Sequence, residues 1–224
     1  MPALPLILIL DFDGTITERD IGDEICARFA HESWKEVDDL WVRNEITLPE
    51  AQRRMWALAR CTREQAVQHA RDVGHPRPGL HALLEAVQHA GGEVWLASGG
   101  FDFYVEALLA GESPRFSRRY YNTTRFSGGN VEVAFPHEQL ACSRCAVCKG
   151  KVCDEAKALA ERVIFVGDGS SDRCAVGRCD ALFAVEGGIL DRHCHELGAA
   201  VTRFSSFDEV TSALEMSSEK RRGE

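Results

Sequence analysis

Residues 6–17 read LILILDFDGTIT: five aliphatic residues, Leu6 to Leu10, that run directly into Asp11 and Asp13. The aliphatic run has the length and composition of a buried strand. Burying an unpaired carboxylate is expensive, and two close together also repel each other. Side chains two apart in an extended segment share a side, so Asp11 and Asp13 converge. A divalent hard cation answers that repulsion. Mg²⁺ takes few carboxylates and completes its shell with water and phosphate oxygens. Gly14 lets the chain turn away at once. In isolation the pair also reads as two solvated loop acids.

The same pattern recurs along the chain. Glu93–Ala97, Val163–Val166 and Ala181–Val185 are further strand-like runs, separated by helical spacing over 78–90, 101–110, 149–161, 171–178, 187–197 and 206–215. This alternation predicts an α/β fold, a Rossmann-like doubly wound parallel sheet with helices on both faces. Ligands of such sheets sit beyond the carboxyl ends of the strands. Asp11, Asp13, Ser98 and Asp168 all follow predicted strands and so meet at one edge.

Each strand end has its own chemistry. In LASGGFD (96–102) a strand ending at Ala97 gives way to a loop in which Ser98, Gly99 and Gly100 suit close approach to an anion, with a helix N-terminus behind. A plain strand-to-helix turn uses the same residues. In CKGK (148–151) Lys149 or Lys151 offers positive charge, or a surface lysine. FVGDGSSD (165–172) brings Asp168 and, four residues on, Asp172, one acid able to hold a metal and the other to orient it.

Residues 20–75 break the alternation. They read as all-helical, with capping boxes at Ser33/Glu36, Thr47/Glu50 and Thr62/Gln65, and with Pro49 in a first turn. Trp34, Val37, Leu40 and Trp41 form one apolar helix face. The expected organisation is a core of residues 1–17 and 76–216, a helical domain at 18–75 and a flexible tail at 217–224. A second insertion is expected near 119–148, where RFSGGNVEVAF carries a hairpin signal.

Composition sets the remaining bounds. The chain has 224 residues, 45% hydrophobic and 27% charged, which suits one sizeable folded unit. A net charge of −9 argues against non-specific binding to nucleic acid or anionic membranes. No run of residues approaches a membrane span, and Asp11 interrupts the N-terminal apolar run. With nine cysteines, an odd number, a cytoplasmic protein with free thiols or metal ligands is expected.

Taken in order, Asp–X–Asp–Gly–Thr, Ser–Gly–Gly, Lys–Gly and Gly–Asp–Gly–X–X–Asp resemble the haloacid dehalogenase superfamily of phosphatases, over nearly the whole chain. The helical insertion resembles the cap of its phosphoserine-phosphatase-like branch. DFDGTIT with Asp20 and Ile21, SGGFDFYVEALL and CSRCAVCKG are similar to the subgroup of methylthiopentenyl-phosphate phosphatases of methionine salvage. The resemblance implies a Mg²⁺-dependent phosphatase in which Asp11 is the nucleophile and Asp13 the acid and base. Asp11, Asp13 (through its carbonyl) and Asp168 would hold the metal, with Asp172 supporting them. Ser98, Gly99, Gly100 and Lys149 would bind the phosphoryl group, Lys149 being preferred to Lys151 because it precedes Gly150. Asp20 takes a substrate-contacting position, with Glu18, Trp41, Arg43 and Met55 as further candidates and Asp102 orienting the loop. The expected partner is a small phosphorylated metabolite. Transfer to an acceptor other than water, phosphoserine as substrate, and a non-catalytic phosphate-binding protein are the competing readings.

Cys142, Cys145 and Cys148 follow the spacing C-x-x-C-x-x-C, with Cys153 five further. A structural zinc site with Cys153 or His137 as fourth ligand, a disulfide and packed free thiols all fit this spacing. Cys174, Cys179, His193, Cys194 and His195 match no metal pattern and read as buried thiols and surface histidines.

Overall fold

The computed structural model describes residues 3–222. Seven strands form one sheet in the order β4-β3-β2-β1-β5-β6-β7. They are β1 (Ile7–Leu10), β2 (Glu93–Phe101), β3 (Phe116–Ser127), β4 (Asn130–Ala134), β5 (Val163–Gly167), β6 (Ala181–Val185) and β7 (Thr202–Phe204). All neighbours are parallel except β3 and β4. The four residues of β1 are fully buried between β2 and β5, which explains their uninterrupted aliphatic sequence.

Helices cover both faces. They are α1 (Ile21–Phe29), α2 (Trp34–Val42), α3 (Leu48–Ala57), α4 (Arg63–Val73), α5 (Leu80–His89), α6 (Asp102–Leu108), α7 (Lys149–Lys157), α8 (Ile189–Leu197) and α9 (Phe207–Arg222). Leu8, Leu10, Val94 and Leu96 share one apolar cluster with α5 and α9, while Ile7, Ile9, Trp95 and Phe165 share another with α7 and α8. Period-two alternation thus builds a core on each side of the sheet.

Helices α1 to α4 form the insertion after β1. The chain leaves and re-enters the core on two adjacent antiparallel segments, bridged at Thr17 and Pro76. Arg77 N–H donates to the Ile16 carbonyl at 2.7 Å, and Glu18 N–H to the His75 carbonyl at 3.2 Å. The insertion also touches the core at its far side. Leu48 N–H donates to the Arg144 carbonyl at 2.9 Å and Cys61 N–H to the Gly129 carbonyl at 3.0 Å.

Several local expectations change. The capping box at Thr62 and Gln65 forms in full, and Thr47 accepts from Glu50 N–H. Ser33 caps nothing, because its backbone is already helical and its hydroxyl meets His31 Nδ1 instead. The helix expected over 171–178 is a 3₁₀ turn, Ser170–Ala175. Asp172 takes the N–H groups of Asp168 and Gly169 there, which tightens the turn. Residues 119–148 are not a separate insertion throughout. β3 starts at Phe116, pairs first with β2 in the main sheet, and only its far half forms the hairpin with β4. The stretch expected as a tail from 217 continues α9 to Arg222, since neither Gly nor Pro interrupts 207–222. Residues 1–2 of the expected core and 223–224 of the expected tail lie outside the described residues. Among the described residues no helix is long and apolar enough to cross a membrane.

Candidate active site

The carboxyl ends of β1, β2 and β5 open into a cavity of about 320 Å³, walled on one side by the core and on the other by α1 to α3. Asp11 follows β1 directly and is buried, its N–H donating to the Val166 carbonyl on β5 at 3.0 Å. The chain then makes a wide turn, Phe12–Ile16, in which Gly14 adopts φ +73°. A Cβ there would collide with the Asp168 carboxylate, so both the backbone angle and the packing demand glycine. Arg77 fixes the turn from beneath, donating to the carbonyls of Gly14 at 2.8 Å, Thr15 at 3.0 Å and Ser205 at 3.1 Å.

Lys149 is the first residue of α7 and is almost completely buried. Its ammonium lies 3.3 Å from Asp11 Oδ1 and 3.2 Å from Asp172 Oδ1, and donates to Ser171 Oγ at 2.6 Å. A buried cation needs such partners. Burial works against its charge, but Asp11 and Asp172 prevail and hold the ammonium above its ordinary value. Asp172 is fully buried too, and its other oxygen accepts from Asp168 N–H at 2.9 Å and Gly169 N–H at 3.0 Å. Asp168 follows β5, lines the cavity and accepts from Thr15 Oγ1 at 3.1 Å.

Oxygens of Asp11, Asp168 and Asp172 all lie within 4.8 Å of one another. Burial, then Asp172, raises the Asp11 carboxyl well above its usual range despite Lys149. Burial and Asp172 likewise push Asp168 up to about 7. With all three carboxyls ionised, the group and its one buried ammonium would carry two negative charges in excess, which is what the raised values of Asp11 and Asp168 resist. An all-oxygen donor set with that excess fits a divalent hard cation such as Mg²⁺.

Asp13 is half-buried and faces the insertion. Its Oδ1 accepts from Ile21 N–H and its Oδ2 from the Tyr104 hydroxyl, both at 2.9 Å. Burial, reinforced by Asp20, raises its carboxyl well above the ordinary range. Gly100 packs against this pair so tightly that a Cβ would collide with Tyr104 Oη and Asp13 Oδ2.

The Ser–Gly–Gly segment differs from its expected form. β2 does not end at Ala97 but runs to Phe101, with an irregularity in its pairing with β3. Ser98 is fully buried behind the cavity wall, and its Oγ accepts from Gly100 N–H at 2.8 Å. Gly99 and Gly100 line the cavity. The Gly99 carbonyl is held by Gln52 Nε2 at 2.8 Å and Asn122 Nδ2 at 2.7 Å.

Asp20 caps α1, accepting from Asp23 N–H at 2.9 Å, and lines the cavity with Asp23, Asp38, Trp41, Leu48, Met55 and Trp56. Glu18 and Arg43 are exposed and stand outside the lining, Arg43 pairing with Glu45 instead. Asp102 is also elsewhere: it pins β3 by accepting from Thr124 N–H and Oγ1 at 3.1 and 2.7 Å. Lys151 points away, donating to the carbonyls of Gln139 and Ala141.

Tyr104, Arg77, Ser171 and Gln52 escaped sequence reasoning. Tyr104 reads as one more apolar residue of its helix, and Arg77 and Gln52 lie far in sequence from what they hold. Ser171 alone carried a signal, lying inside the GDGSSD stretch.

A family model described as haloacid dehalogenase-like hydrolase matches residues 8–176. The chain is 29% identical over 216 residues to the "Bifunctional enzyme MtnB/MtnX" of Bacillus licheniformis, covering 95% of this chain and 50% of that protein, so it spans half that relative's length. It is 28% identical over 207 residues to the 2-hydroxy-3-keto-5-methylthiopentenyl-1-phosphate phosphatase of Bacillus mycoides, covering 91% and 93% of the two. A solved phosphoserine phosphatase carrying a phospho-aspartyl intermediate analogue superposes with TM-score 0.71 at 20% identity, over 95% of this chain and 99% of that one.

Proposed function

The chain belongs to the haloacid dehalogenase-like hydrolases, and on that premise we propose that it is a Mg²⁺-dependent phosphomonoesterase working through an aspartyl-phosphate on Asp11. The observation that carries this reading is the buried Lys149 between Asp11 and Asp172, with Asp168 closing the group.

Asp11 attacks phosphorus in line with the leaving oxygen, and its carboxylate becomes the phosphoryl carrier. Asp13 gives its proton to the leaving oxygen, the form that its raised carboxyl value favours. Ionised by that transfer, Asp13 then takes a proton from the water that attacks the aspartyl-phosphate. Ile21 N–H and the Tyr104 hydroxyl keep the carboxyl pointed at the reaction line in both states. Lys149 opposes the charge on the transferring oxygens, and the backbone of Gly99 and Gly100 brings the cavity wall close to them. Ser98 acts by holding Gly100 in place. Asp11, Asp168 and the Asp13 carbonyl would hold Mg²⁺, with Asp172 behind them, and the bound ion supplies charge neutralisation to the phosphoryl group.

Residues 18–75 serve as the cap that selects the substrate. Trp41, Leu48, Met55 and Trp56 give the cavity an apolar lining, which suits the methylthiopentenyl phosphate named for the Bacillus relatives. A second reading has its own observation: Asp20, Asp23 and Asp38 face the same space, with burial and Asp20 pushing Asp23 up to about 8. An amine-bearing phosphate ester such as phosphoserine would answer that charge. Phosphate release from a ketopentyl phosphate, phosphoserine and phosphoethanolamine at fixed Mg²⁺ separates the two, and the same assay in EDTA tests the metal. Activity that survives EDTA, or that persists at wild-type level in Asp11→Asn, contradicts the mechanism. An alcohol acceptor added to the assay detects any phosphotransfer.

A further inference from the structure

The thiols form a second cluster that the proposed reaction does not use. Cys142, Cys145 and Cys174 have sulfurs all within 4.8 Å of one another. The Cys148 thiol, at the N-cap of α7, lies outside that mutual distance but neighbours both Cys174 and Cys142. The sequence left the fourth position open between Cys153 and His137, and both are engaged elsewhere. Cys153 is buried in the apolar cluster beneath α7, and the His137 ring packs edge-on to Tyr120. Cys174, 26 residues beyond Cys148, takes that position.

Two observations show that this meeting is built. Arg144 N–H and Cys145 N–H both donate to Cys142 Sγ, at 3.4 and 3.3 Å, which fixes the sulfur's position in the loop. Gly150, the second residue of α7, faces the backbone of Cys174 so closely that a Cβ would collide with its carbonyl oxygen. The glycine after Lys149 therefore lets α7 close on the turn that carries Cys174.

We propose that Cys142, Cys145, Cys148 and Cys174 bind one structural Zn²⁺ ion. Four thiolates at about 2.3 Å from zinc stand about 3.8 Å apart, a contraction of roughly 1 Å from the outer limit seen here for Cys142, Cys145 and Cys174, with Cys148 turning in as the fourth. The four thiols lose their protons to solvent on binding. Cys148 adjoins Lys149, and Cys174 lies two residues past Asp172. The ion thus staples together the two segments that meet in the Lys149–Asp172 pair. Arg144, within the same loop, accepts from Leu48 N–H through its carbonyl and lays its guanidinium over Trp41 at 4.6 Å. The knot reaches the insertion as well.

The test is elemental analysis of the full chain, expressed without a tag and purified without added metal. About one zinc per chain is expected, falling below about one tenth in Cys142→Ser and Cys174→Ser and unchanged in Cys153→Ser. Should the serine variants fail to fold, Co²⁺ titration of the metal-stripped wild type and of Cys153→Ser replaces them. Intense thiolate-to-cobalt charge transfer in both supports the site. Metal-free wild type with no such band, a Cys145–Cys174 disulfide found by mass, or iron in place of zinc overturns it. Phosphate release with Mg²⁺ is measured on the same samples, so failure of the zinc site and failure of the phosphatase reading are distinguishable.

Discussion

Two clusters of potential ligands lie back to back in this molecule, and they differ in almost every physical respect. In the carboxylate group, Asp11 and Asp168 follow strand ends and line a cavity beside the buried ammonium of Lys149, with Asp172 buried behind them. The thiols of Cys142, Cys145, Cys148 and Cys174 stand on a loop, the N-cap of α7 and the 3₁₀ turn, outside that cavity lining. Hard oxygen donors at an open cavity suit an ion that keeps exchangeable positions for substrate, whereas four sulfurs close a tetrahedron around a soft one and leave none. Position separates what chemistry does, because a strand end faces ligand and a knotted loop faces its neighbours.

The comparison can be broken from the oxygen side first. Asp11→Asn should lose at least about 10³-fold in kcat with the fold and zinc content intact, as removal of a nucleophile does elsewhere; circular dichroism, metal analysis and phosphate release check this. Lys149→Ala should lower kcat/KM by about 10²–10³-fold, and thermal melting should show a further loss, since two buried carboxylates lose their cation. Gly150→Ala acts on the boundary. Its methyl group meets the Cys174 carbonyl, so melting should show a loss of about 1–3 kcal/mol and zinc content should fall with activity. Tyr104→Phe removes one of two donors to Asp13 and should lower kcat about tenfold while leaving zinc untouched. Lys151→Ala should change kcat/KM less than about twofold, because its ammonium serves loop carbonyls and not the cavity.

The parts of the fold legible in sequence are those where pattern and burial coincide. β1 can be read because both its faces are covered, and the insertion because the Thr47 and Thr62 signals, close together, do cap helices. β3 was harder: FSRRYYNTTRFS is polar and aromatic, alternates only loosely, and pairs with β2 along half its length. Short β7, with two of its three residues exposed, has too little apolar pattern to be seen. In the site, residues standing directly after strands were legible, since topology alone brings them to one edge. That Ser98 is buried outside the cavity lining is not legible, because a strand that continues through Ser–Gly–Gly looks locally like a turn. Cys174 was passed over as a ligand because its partners lie 26 to 32 residues earlier and meet it only through the packing of α7 on the 3₁₀ turn.

The insertion is attached on both sides of the cavity. Its bridged segments at Thr17 and Pro76 form one edge, and the backbone bonds of Leu48 to Arg144 and of Cys61 to Gly129 form the other. A flap hinged along one edge swings freely, but a flap also latched along the opposite edge cannot rotate until the latch releases. Any such rotation of the insertion then costs at least two backbone hydrogen bonds, each worth about 1 kcal/mol net. The amides of Leu48 and Cys61 become the natural reporters of that opening, exchanging with solvent at the rate at which the cavity unlatches.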